Sequence, residues 1–376
     1  MTALPRFQLP LPAAEFLRDY WQQQPLLAPG SASGLEHVSV ALLQTLAADD
    51  EIEARLIQGA GDGPWQLRHG PFTAADLAEL PPTDWTLLVQ SVDHYRTDVS
   101  LLLDSFAFLP GWRLEDIMIS HAVRGGSVGA HYDRYDVFLV QARGHRRWHL
   151  GPTCDEHSPR LPHDDLRLLA DMPITASHLL GPGDVLYLPP GVAHWGMAED
   201  DDCITWSVGF RAPRLTEVLA RITDEALMLA GDTLFSDASR TPESAPGQLQ
   251  DADVAALSEQ ALALLTPPAI RDGLAQLLSE PRQPDAVLRD EDPAPLQSLL
   301  PSGTLVRRGA TRLLADTKGL WINGEHWPLD SESLPLANFL AAQRVYARND
   351  LEAHLTVAGR SLIHEWTQQG FFLSLP

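Results

Sequence analysis

The residues best suited to chemistry lie in the glycine-rich segment 124–133, RGGSVGAHYD. His131 and Asp133 are two positions apart at the predicted start of an apolar strand, which continues through 137–141. In an extended chain, positions i and i+2 point to the same side, so an imidazole and a carboxylate can reach one ion. A His-x-Asp pair often occurs by chance, so it indicates a metal site only together with a third ligand.

The third candidate ligand is His194, which follows the segment 181–191, GPGDVLYLPPG. That segment predicts a turn, a short apolar strand and a second turn, after which His194 begins another strand. Two histidines and one carboxylate form a facial triad, which leaves three metal positions open and suits Fe(II) and oxygen chemistry. Zinc hydrolases also use three protein ligands, so the triad alone does not exclude them.

Arg146 is the candidate for holding an organic cosubstrate. It begins the strand-like segment 146–150, on the far side of a turn at 142–144. A strand there would bring the guanidinium beside the metal, where its fork pairs well with a carboxylate through two hydrogen bonds. A 2-oxo acid that chelates iron carries such a remote carboxylate. The neighbouring Arg143 and Arg147 are expected to be surface charges.

The elements that must position these residues fall into three zones of the 376-residue chain. Residues 1–211 hold short β-rich runs bounded by Gly and Pro, which predict a sandwich or barrel. Residues 212–300 show the apolar spacing of amphipathic helices, and residues 301–376 mix strand-like and helical stretches. Strands are predicted at 86–92, 116–123, 137–141, 146–150, 184–188, 203–210, 304–308, 311–315 and 319–322. Helices are predicted at 12–24, 38–48, 215–229, 254–265, 269–278, 334–342, 351–357 and 360–369, with a loop at 231–250, a linker at 281–295 and a closing extended segment at 371–375.

Charge limits the possible partners. Fifty acidic against 27 basic residues give a net charge of −23. Residues 1–211 carry −14, residues 212–300 carry −9, and residues 301–376 are neutral. This balance argues against binding of a phosphate backbone as the main activity, because that needs a basic surface. An acidic body either favours solubility through self-repulsion or attracts a basic partner.

Targeting signals and cysteines point to the cytoplasm. No run approaches 18 uninterrupted apolar residues, so no membrane span is expected. The first twenty residues lack the features of a secretory signal. The two cysteines, Cys154 and Cys203, cannot form a disulfide framework, which fits a reducing compartment.

Taken together, these motifs resemble those of the bacterial JmjC-type ribosomal oxygenases. The resemblance rests on the His131-x-Asp133 pair with His194, and on the runs GDVLYLPPG (183–191), DRYDVF (133–138), FLRDYWQ (16–22) and WSVGFRAP (206–213). It covers the whole chain in order, and the set of motifs is far more specific than any one of them.

The resemblance implies a mainly β fold with helices. Residues 1–211 would form a JmjC double-stranded β-helix of jelly-roll or cupin type, residues 212–300 a helical dimerisation region, and residues 301–376 a winged-helix-like domain. Members of the family use Fe(II), 2-oxoglutarate and O₂ to hydroxylate an arginine of a large-subunit ribosomal protein, the sixteenth in bacterial naming. The implied partners are that basic protein and a second copy of the chain. The neutral 301–376 segment speaks against a wing that binds DNA.

The resemblance also implies roles for particular residues. His131, Asp133 and His194 would be the iron ligands, and Arg146 lies where the family places the basic residue that binds the 2-oxoglutarate tail.

The expected substrate pocket lies on the predicted strand that leads into the glycine-rich segment, where Asp116, Met118 and Ser120 share one face. Asp116 would pair with the substrate guanidinium, while Met118 and Tyr135 would flank its aliphatic stem. Ser120 would hydrogen-bond the cosubstrate instead.

Three other interpretations remain open at this point. The enzyme could hydroxylate a histidine of another ribosomal protein, since the metal ligands would look the same. The barrel could belong to a cupin-like metal protein that is not an oxygenase, or to a JmjC-type regulator acting on nucleic acid. Histidines 121, 145 and 149 lie near the motif but off its pattern, and are expected to be structural. The roles of Gln90, Asp93 and His94 are not predicted.

Overall fold

The computed structural model describes residues 3–60, 63–238, 240 and 247–376. Positions 239 and 241–246 of the predicted loop therefore lie outside the described residues. The elements up to residue 113 are, in chain order, β1 (Arg6–Phe7), α1 (Ala13–Asp19), β2 (Leu26–Ala28), β3 (Ala32–Ser33), α2 (Val40–Ala47), β4 (Ala54–Gln58), β5 (Gln66–His69), α3 (Ala74–Ala78), β6 (Trp85–Val89), α4 (Val92–Tyr95), α5 (Thr97–Ser100) and the 3₁₀ turns Leu101–Phe106 and Gly111–Arg113.

The rest of the first zone consists of strands, and the second zone of helices. The strands are β7 (Leu114–Ala122), β8 (Val137–Arg143), β9 (Arg146–Thr153), β10 (Ala176–Leu180), β11 (Val185–Leu188), β12 (Val192–Ala198) and β13 (Cys203–Phe210). The helices are α6 (Leu215–Ala230), α7 (Asp251–Leu262), α8 (Pro267–Ser279), the 3₁₀ turn Pro284–Leu288 and α9 (Ala294–Leu299).

The last zone carries short strands and three helices. These are β14 (Leu305–Arg307), β15 (Leu313–Ala315), β16 (Gly319–Ile322), β17 (Glu325–Pro328), α10 (Leu334–Ala342), β18 (Val345–Tyr346), α11 (Arg348–Glu352), α12 (Val357–Gln368) and β19 (Phe372–Ser374). The strands form two small antiparallel sheets, in the orders β18-β14-β19 and β15-β16-β17.

Two antiparallel sheets build the predicted barrel. The larger has eight strands in the order β2-β11-β8-β13-β7-β6-β4-β5, and the smaller has the order β10-β9-β12. Buried apolar side chains from both sheets pack into one cluster: Val137, Leu139, Trp148, Leu150, Leu180, Leu186, Leu188 and Val192. The sheets therefore enclose a common interior. The outer face of the large sheet is covered by the N-terminal helices, with Phe16, Phe106, Phe138 and Trp206 among the buried residues.

Most predicted strands of the barrel are confirmed, but two predictions are wrong in detail. The strand predicted over 86–92 ends at Val89, because Ser91 adopts a left-handed backbone (φ 51°, ψ 38°) that turns the chain into α4. His131 and Asp133 do not lie in β8, which begins at Val137. His131 instead forms an isolated bridge with His194.

Outside the barrel, the helix predicted over 351–357 is placed differently, since α11 ends at Glu352 and α12 begins at Val357. The segment 281–295 is not a free linker. Thr97 Oγ1 donates to Glu291 Oε2 at 2.6 Å, and Arg289 forms an ion pair with Asp49. Its charged side chains find partners on the N-terminal zone, so the segment packs against the barrel.

The last zone docks closely on the strand that carries the predicted substrate residues. Arg312 is 7% exposed, and its guanidinium donates to the backbone carbonyl of Glu115, at the start of β7. Gly309 donates its N–H to Thr97 Oγ1 at 3.2 Å. A Cβ at Gly309 would lie 1.6 Å from the carbonyl oxygen of Asp93. Only glycine allows the two backbones to approach this closely.

Among the helices in the described ranges, none is both long and apolar enough to cross a membrane.

The close approach at Gly309 generates a prediction. Gly309→Ala should lower the melting temperature by roughly 5 °C or more, because the added methyl group forces the domains apart. Thermal unfolding followed by circular dichroism measures this. Gly111→Ala is the matched control, since a Cβ there would have no atom within 4 Å. Equal melting temperatures for the two variants would show that the domains are not in close contact at this point.

Candidate metal centre

Three side chains meet at one end of the barrel. One ligand atom from each of His131, Asp133 and His194 lies within 4.8 Å of the others. His194 Nε2 is 3.7 Å from Asp133 Oδ2. The two histidines are held together through their backbones, because each donates its N–H to the carbonyl of the other, at 3.0 and 2.8 Å. The structure therefore brings the three predicted ligands together.

The ring hydrogen bonds fix the tautomer of both histidines. Nδ1 of His131 lies 2.9 Å from the carbonyl oxygen of Gly129, and Nδ1 of His194 lies 2.9 Å from that of Val192. A carbonyl can only accept, so both Nδ1 atoms donate a proton to it, and Nε2 is the ring nitrogen that each histidine can offer to a metal. Burial, and then the neighbouring His131, lower the pKa of His194 to about 4. The imidazole is neutral near pH 7, as metal binding requires.

These donors fit a divalent iron ion. Two imidazoles and one carboxylate match the facial arrangement of non-haem Fe(II) oxygenases, which leaves further positions on the metal open. The Asp133 side chain is partly accessible, with 23% of its surface exposed. The site is therefore accessible to solvent on the side of Asp133.

Arg146 lies inside the barrel and forms no ion pair with a carboxylate in the part of the chain that the structure describes. Its side chain is 3% exposed, and within the described ranges its Nη2 atom is buried and has no hydrogen-bond partner. Nε donates to Cys203 Sγ at 3.4 Å. A buried guanidinium without a counter-charge is costly, so this is a ready site for an anionic group. Its strand, β9, belongs to the small sheet and pairs with β12, which carries His194, and not with β8.

Trp148 spans the distance between Arg146 and the metal ligands. Its ring lies 5.7 Å from the Arg146 guanidinium carbon and 5.8 Å from the His194 ring. Gly196 leaves space for the indole, since a Cβ there would lie 2.7 Å from it. In the register of β9 and β12, Arg146 lies opposite Ala198, four residues from His194. That is about 13 Å along the strand, which an arginine side chain and a five-carbon diacid can span together.

The predicted substrate residues share the inner face of β7. Asp116 and Ser120 are buried, at 4% and 3% exposed, and Met118 between them is half-buried. Ser120 Oγ lies 3.5 Å from the carbonyl of Thr205, a weak contact that leaves its hydroxyl available. Alternation along β7 places Ile117 and Ile119 in the core on the opposite side.

Tyr135 lies between the metal ligands and the substrate strand, and is 43% exposed. The charge of Asp133, then burial, then the charge of Asp116 raise the pKa of its hydroxyl. The phenol is therefore protonated near neutral pH and close to both carboxylates. Its ring also lies near Gly209, whose absent side chain leaves space beside Asp116 Oδ1.

The polar residues that sequence reasoning could not place surround the start of β7. Gln90 Nε2 and Ser91 Oγ both donate to Asp116 Oδ2, at 2.7 and 2.6 Å. Asp93 Oδ1 accepts from the backbone N–H of Ile117 at 2.7 Å, and burial raises the pKa of Asp93 to about 7. The one sequence signal for Gln90 and Ser91 is a polar pair directly after the apolar run 85–89.

The other charged residues near the motif pair on the surface. Arg143 forms an ion pair with Asp202, and Arg147 Nε lies 2.5 Å from Glu199 Oε1. The expectation that these two arginines are surface charges is confirmed. None of the three histidines set aside as structural, His121, His145 and His149, is among the grouped metal ligands found in the described ranges. His94 Nε2 accepts from Arg312 at 3.2 Å, away from the metal centre.

The fold and the site define a protein of the JmjC class. A family model described as a JmjC domain matches residues 101–218, and one described as a ROXA-like winged helix matches residues 233–372. The chain is 34% identical to "Ribosomal protein uL16 3-hydroxylase" of Escherichia coli K12, over 89% of this chain and 90% of that protein. The chain belongs to the ribosomal oxygenase family.

Two further relatives agree with this assignment. A "Probable ribosomal oxygenase" of Haemophilus influenzae is 37% identical over 65% of this chain and 62% of its own length. The structure of the Escherichia coli ribosomal oxygenase YcfD with cobalt and 2-oxoglutarate superposes with a TM-score of 0.80. It is 30% identical and covers 98% of this chain and 99% of that one.

These comparisons confirm several predictions. The JmjC barrel, the C-terminal winged helix and the oxygenase class are confirmed by the family. The cofactor set of Fe(II), 2-oxoglutarate and O₂ is confirmed at the level of the family, since a solved member holds cobalt with 2-oxoglutarate. Membership of an oxygenase family also argues against a cupin-like protein without oxygenase activity. The domain boundaries at 211 and 300 and the roles of individual residues stay predictions.

The buried guanidinium of Arg146 generates a prediction about cosubstrate binding. Arg146→Ala should weaken binding of 2-oxoglutarate to the metal-loaded protein by about 10- to 100-fold, because charge-assisted hydrogen bonds are lost. Arg146→Lys keeps the charge without the fork and should fall in between. Calorimetric titration with 2-oxoglutarate measures both. Arg147→Ala, at the exposed neighbouring position, should bind as the wild type does; an unchanged affinity for Arg146→Ala would show that another residue holds the tail.

Proposed function

We propose that this protein is an Fe(II)- and 2-oxoglutarate-dependent oxygenase that hydroxylates an arginine side chain of the ribosomal protein uL16, the sixteenth of the large subunit. The observation that carries the proposal is the combination of three candidate metal ligands with a buried arginine in the same barrel, whose Nη2 atom has no hydrogen-bond partner among the described residues. One relative, the uL16 3-hydroxylase of Escherichia coli, carries uL16 in its name, and this supports the choice of uL16 as the substrate. The site of action is the cytoplasm, where ribosomal proteins are made.

His131, Asp133 and His194 would hold the iron through two Nε2 atoms and a carboxylate oxygen. When bound, iron and 2-oxoglutarate together activate O₂, which inserts one oxygen atom into a C–H bond while the cosubstrate becomes succinate and CO₂. Arg146 would bind the distal carboxylate of 2-oxoglutarate, with Ser120 as a further hydrogen-bond donor. The apolar side chains between the sheets keep bulk water away from this region.

Asp116 supplies the charge that selects a cationic side chain. Its Oδ2 atom is occupied by two donors, whereas Oδ1 lies near Gly209, which the ring of Tyr135 also approaches. Met118 and Tyr135 would contact the aliphatic stem of the arginine. These groups hold one carbon near the metal, and positioning is the main contribution the protein makes to such a reaction.

The acidic charge of the protein suits a basic ribosomal substrate. A net charge of −23 attracts cationic partners over distances of about a Debye length. Residues 301–376, the winged-helix zone, by contrast expose few basic side chains that could bind nucleic acid. Four of its seven basic residues are buried, namely Arg307, Arg308, Arg312 and Arg344, each at 7% exposed or less. We infer that this zone supports the barrel and does not bind DNA.

The proposed reaction is tested by mass spectrometry. Purified protein with Fe(II) and 2-oxoglutarate should form succinate faster when uL16 from the same organism is added, and uL16 should gain the mass of one oxygen atom on an arginine. Asp133→Ala, which removes one proposed ligand, is the inactive control.

Two results would contradict this assignment. Mass spectrometry can compare the ribosomal proteins of cells with and without the gene. If only the cells with the gene carried an added oxygen on a histidine of another ribosomal protein, the arginine assignment would be wrong. No gain in any ribosomal protein would refute the proposed function.

We also propose that the protein is a homodimer that pairs through α6 and α7. Helix α7 contains no buried residue, and its apolar side chains Val254, Leu257 and Leu262 are 44–63% exposed. On α6, Leu215 and Leu219 are 84% and 59% exposed. Exposed apolar side chains of this kind are typical of an interface, and burying them against a second copy would remove them from water.

The dimer generates a prediction with a matched pair of variants. The wild type should sediment as a dimer at micromolar concentration, and Leu257→Asp should shift it towards the monomer, because a charge is then placed in the apolar contact. Ser258→Asp adds the same charge one residue further on and should leave the dimer intact. A monomeric wild type would refute the proposal.

A further inference from the structure

Gln90 and Ser91 link two elements of the barrel. The chain leaves β6 at Val89 and enters α4 at Val92, and the two residues form the turn between them. Ser91 has φ 51° and ψ 38°, in the left-handed region that residues with a Cβ rarely occupy. Both side chains are buried, at 8% and 0% exposed. Glycine would adopt this backbone more easily, so the presence of serine points to a use for its hydroxyl.

Both side chains donate to the same oxygen atom. Gln90 Nε2 lies 2.7 Å and Ser91 Oγ 2.6 Å from Asp116 Oδ2. Two donors occupy the two lone pairs of that oxygen. Across the described ranges no hydrogen bond reaches the other oxygen, Oδ1, which lies near Gly209, as does the ring of Tyr135. The carboxylate therefore has one occupied and one available acceptor.

Arg55 fixes the orientation of the Gln90 amide. Its Nη2 atom donates to Gln90 Oε1 at 3.0 Å and also lies 3.7 Å from Met118 Sδ. Because the amide oxygen accepts from Arg55, the amide nitrogen must face Asp116. The same guanidinium is positioned by Glu53, at 3.6 Å. The network thus continues from β4 through the turn to β7.

We propose that Gln90 and Ser91 are positioning residues for substrate recognition: they hold Asp116 so that Oδ1 alone receives an N–H of the substrate side chain. This inference rests on the proposed function, in which Asp116 binds the cationic side chain of the ribosomal protein. It adds that the substrate side chain binds to one oxygen of Asp116, whose carboxylate is held in place by Gln90 and Ser91. A bidentate pair between the substrate and Asp116 is excluded, because Oδ2 is already occupied.

Substitutions at Ser91 separate this role from a structural one. Ser91→Gly and Ser91→Ala both remove the hydroxyl, but glycine relieves the left-handed backbone and alanine does not. Both variants should therefore raise KM for uL16 by about 10-fold, although Ser91→Gly should melt at a higher temperature than Ser91→Ala. KM for 2-oxoglutarate should stay unchanged in both. If KM for uL16 followed the melting temperature, with glycine close to the wild type, the proposal would be overturned.

A substitution at Gln90 tests the second donor. Gln90→Glu keeps the size and the acceptor for Arg55, but replaces the donor to Asp116 with a repelling oxygen. KM for uL16 should rise by more than 10-fold, while turnover of 2-oxoglutarate without substrate stays at the wild-type rate. Gln66→Glu, at an exposed position of β5, adds the same charge and should have no effect.

The wild-type assay distinguishes a failure of the positioning role from a failure of the proposed function. Stimulation of the wild type by uL16 with unchanged KM in the Gln90 and Ser91 variants would refute the positioning role and leave the proposed function intact. No stimulation of the wild type would refute both.

Discussion

The metal centre depends on the backbone pairing of His131 with His194. The two residues lie 63 positions apart in the sequence, and their mutual hydrogen bonds join the glycine-rich loop to the edge of the small sheet. The same backbone geometry turns each Nδ1 towards a carbonyl two residues earlier, which directs both Nε2 atoms to one point. Two hydrogen bonds of the chain thus determine the position, orientation and tautomer of two ligands at once.

Two buried residues of opposite charge, Arg146 and Asp116, lie inside the barrel. They are on strands of opposite sheets. In the described part of the chain, Arg146 Nη2 is a buried atom without a hydrogen-bond partner, whereas Asp116 accepts hydrogen bonds at Oδ2. Burial makes an unpaired atom such as Arg146 Nη2 costly in the free protein, and strengthens its interaction with an incoming opposite charge. Under the proposed function, the cation would bind the anionic cosubstrate and the anion would bind a cationic side chain, so neither site would accept the other's ligand.

The sequence predicts the parts of this site that depend on local spacing. His131, Asp133 and Arg146 are recognisable because glycines and turns surround them, and most strands of the large sheet show clear apolar runs. The contact of Gln90 and Ser91 with Asp116 spans 25 residues or more and leaves no local pattern. The left-handed Ser91 looks like a strand residue in the sequence, so the predicted strand runs too far. The segment 281–295 looks like a linker because it is rich in Pro and Asp, but its charges are paired with distant residues such as Asp49 and Thr97.

The winged-helix zone, residues 301–376, is coupled to strand β7 through the buried Arg312. Arg312 holds the carbonyl of Glu115 while Asp93 holds the N–H of Ile117, so the backbone on both sides of Asp116 is fixed from outside β7. Gly309 brings the two zones close enough for this, because its backbone contacts that of Asp93. Basic side chains that a DNA-binding wing would expose are thereby used within the molecule. The neutral balance of residues 301–376 fits a domain whose charges support the active-site strand and do not face a nucleic acid.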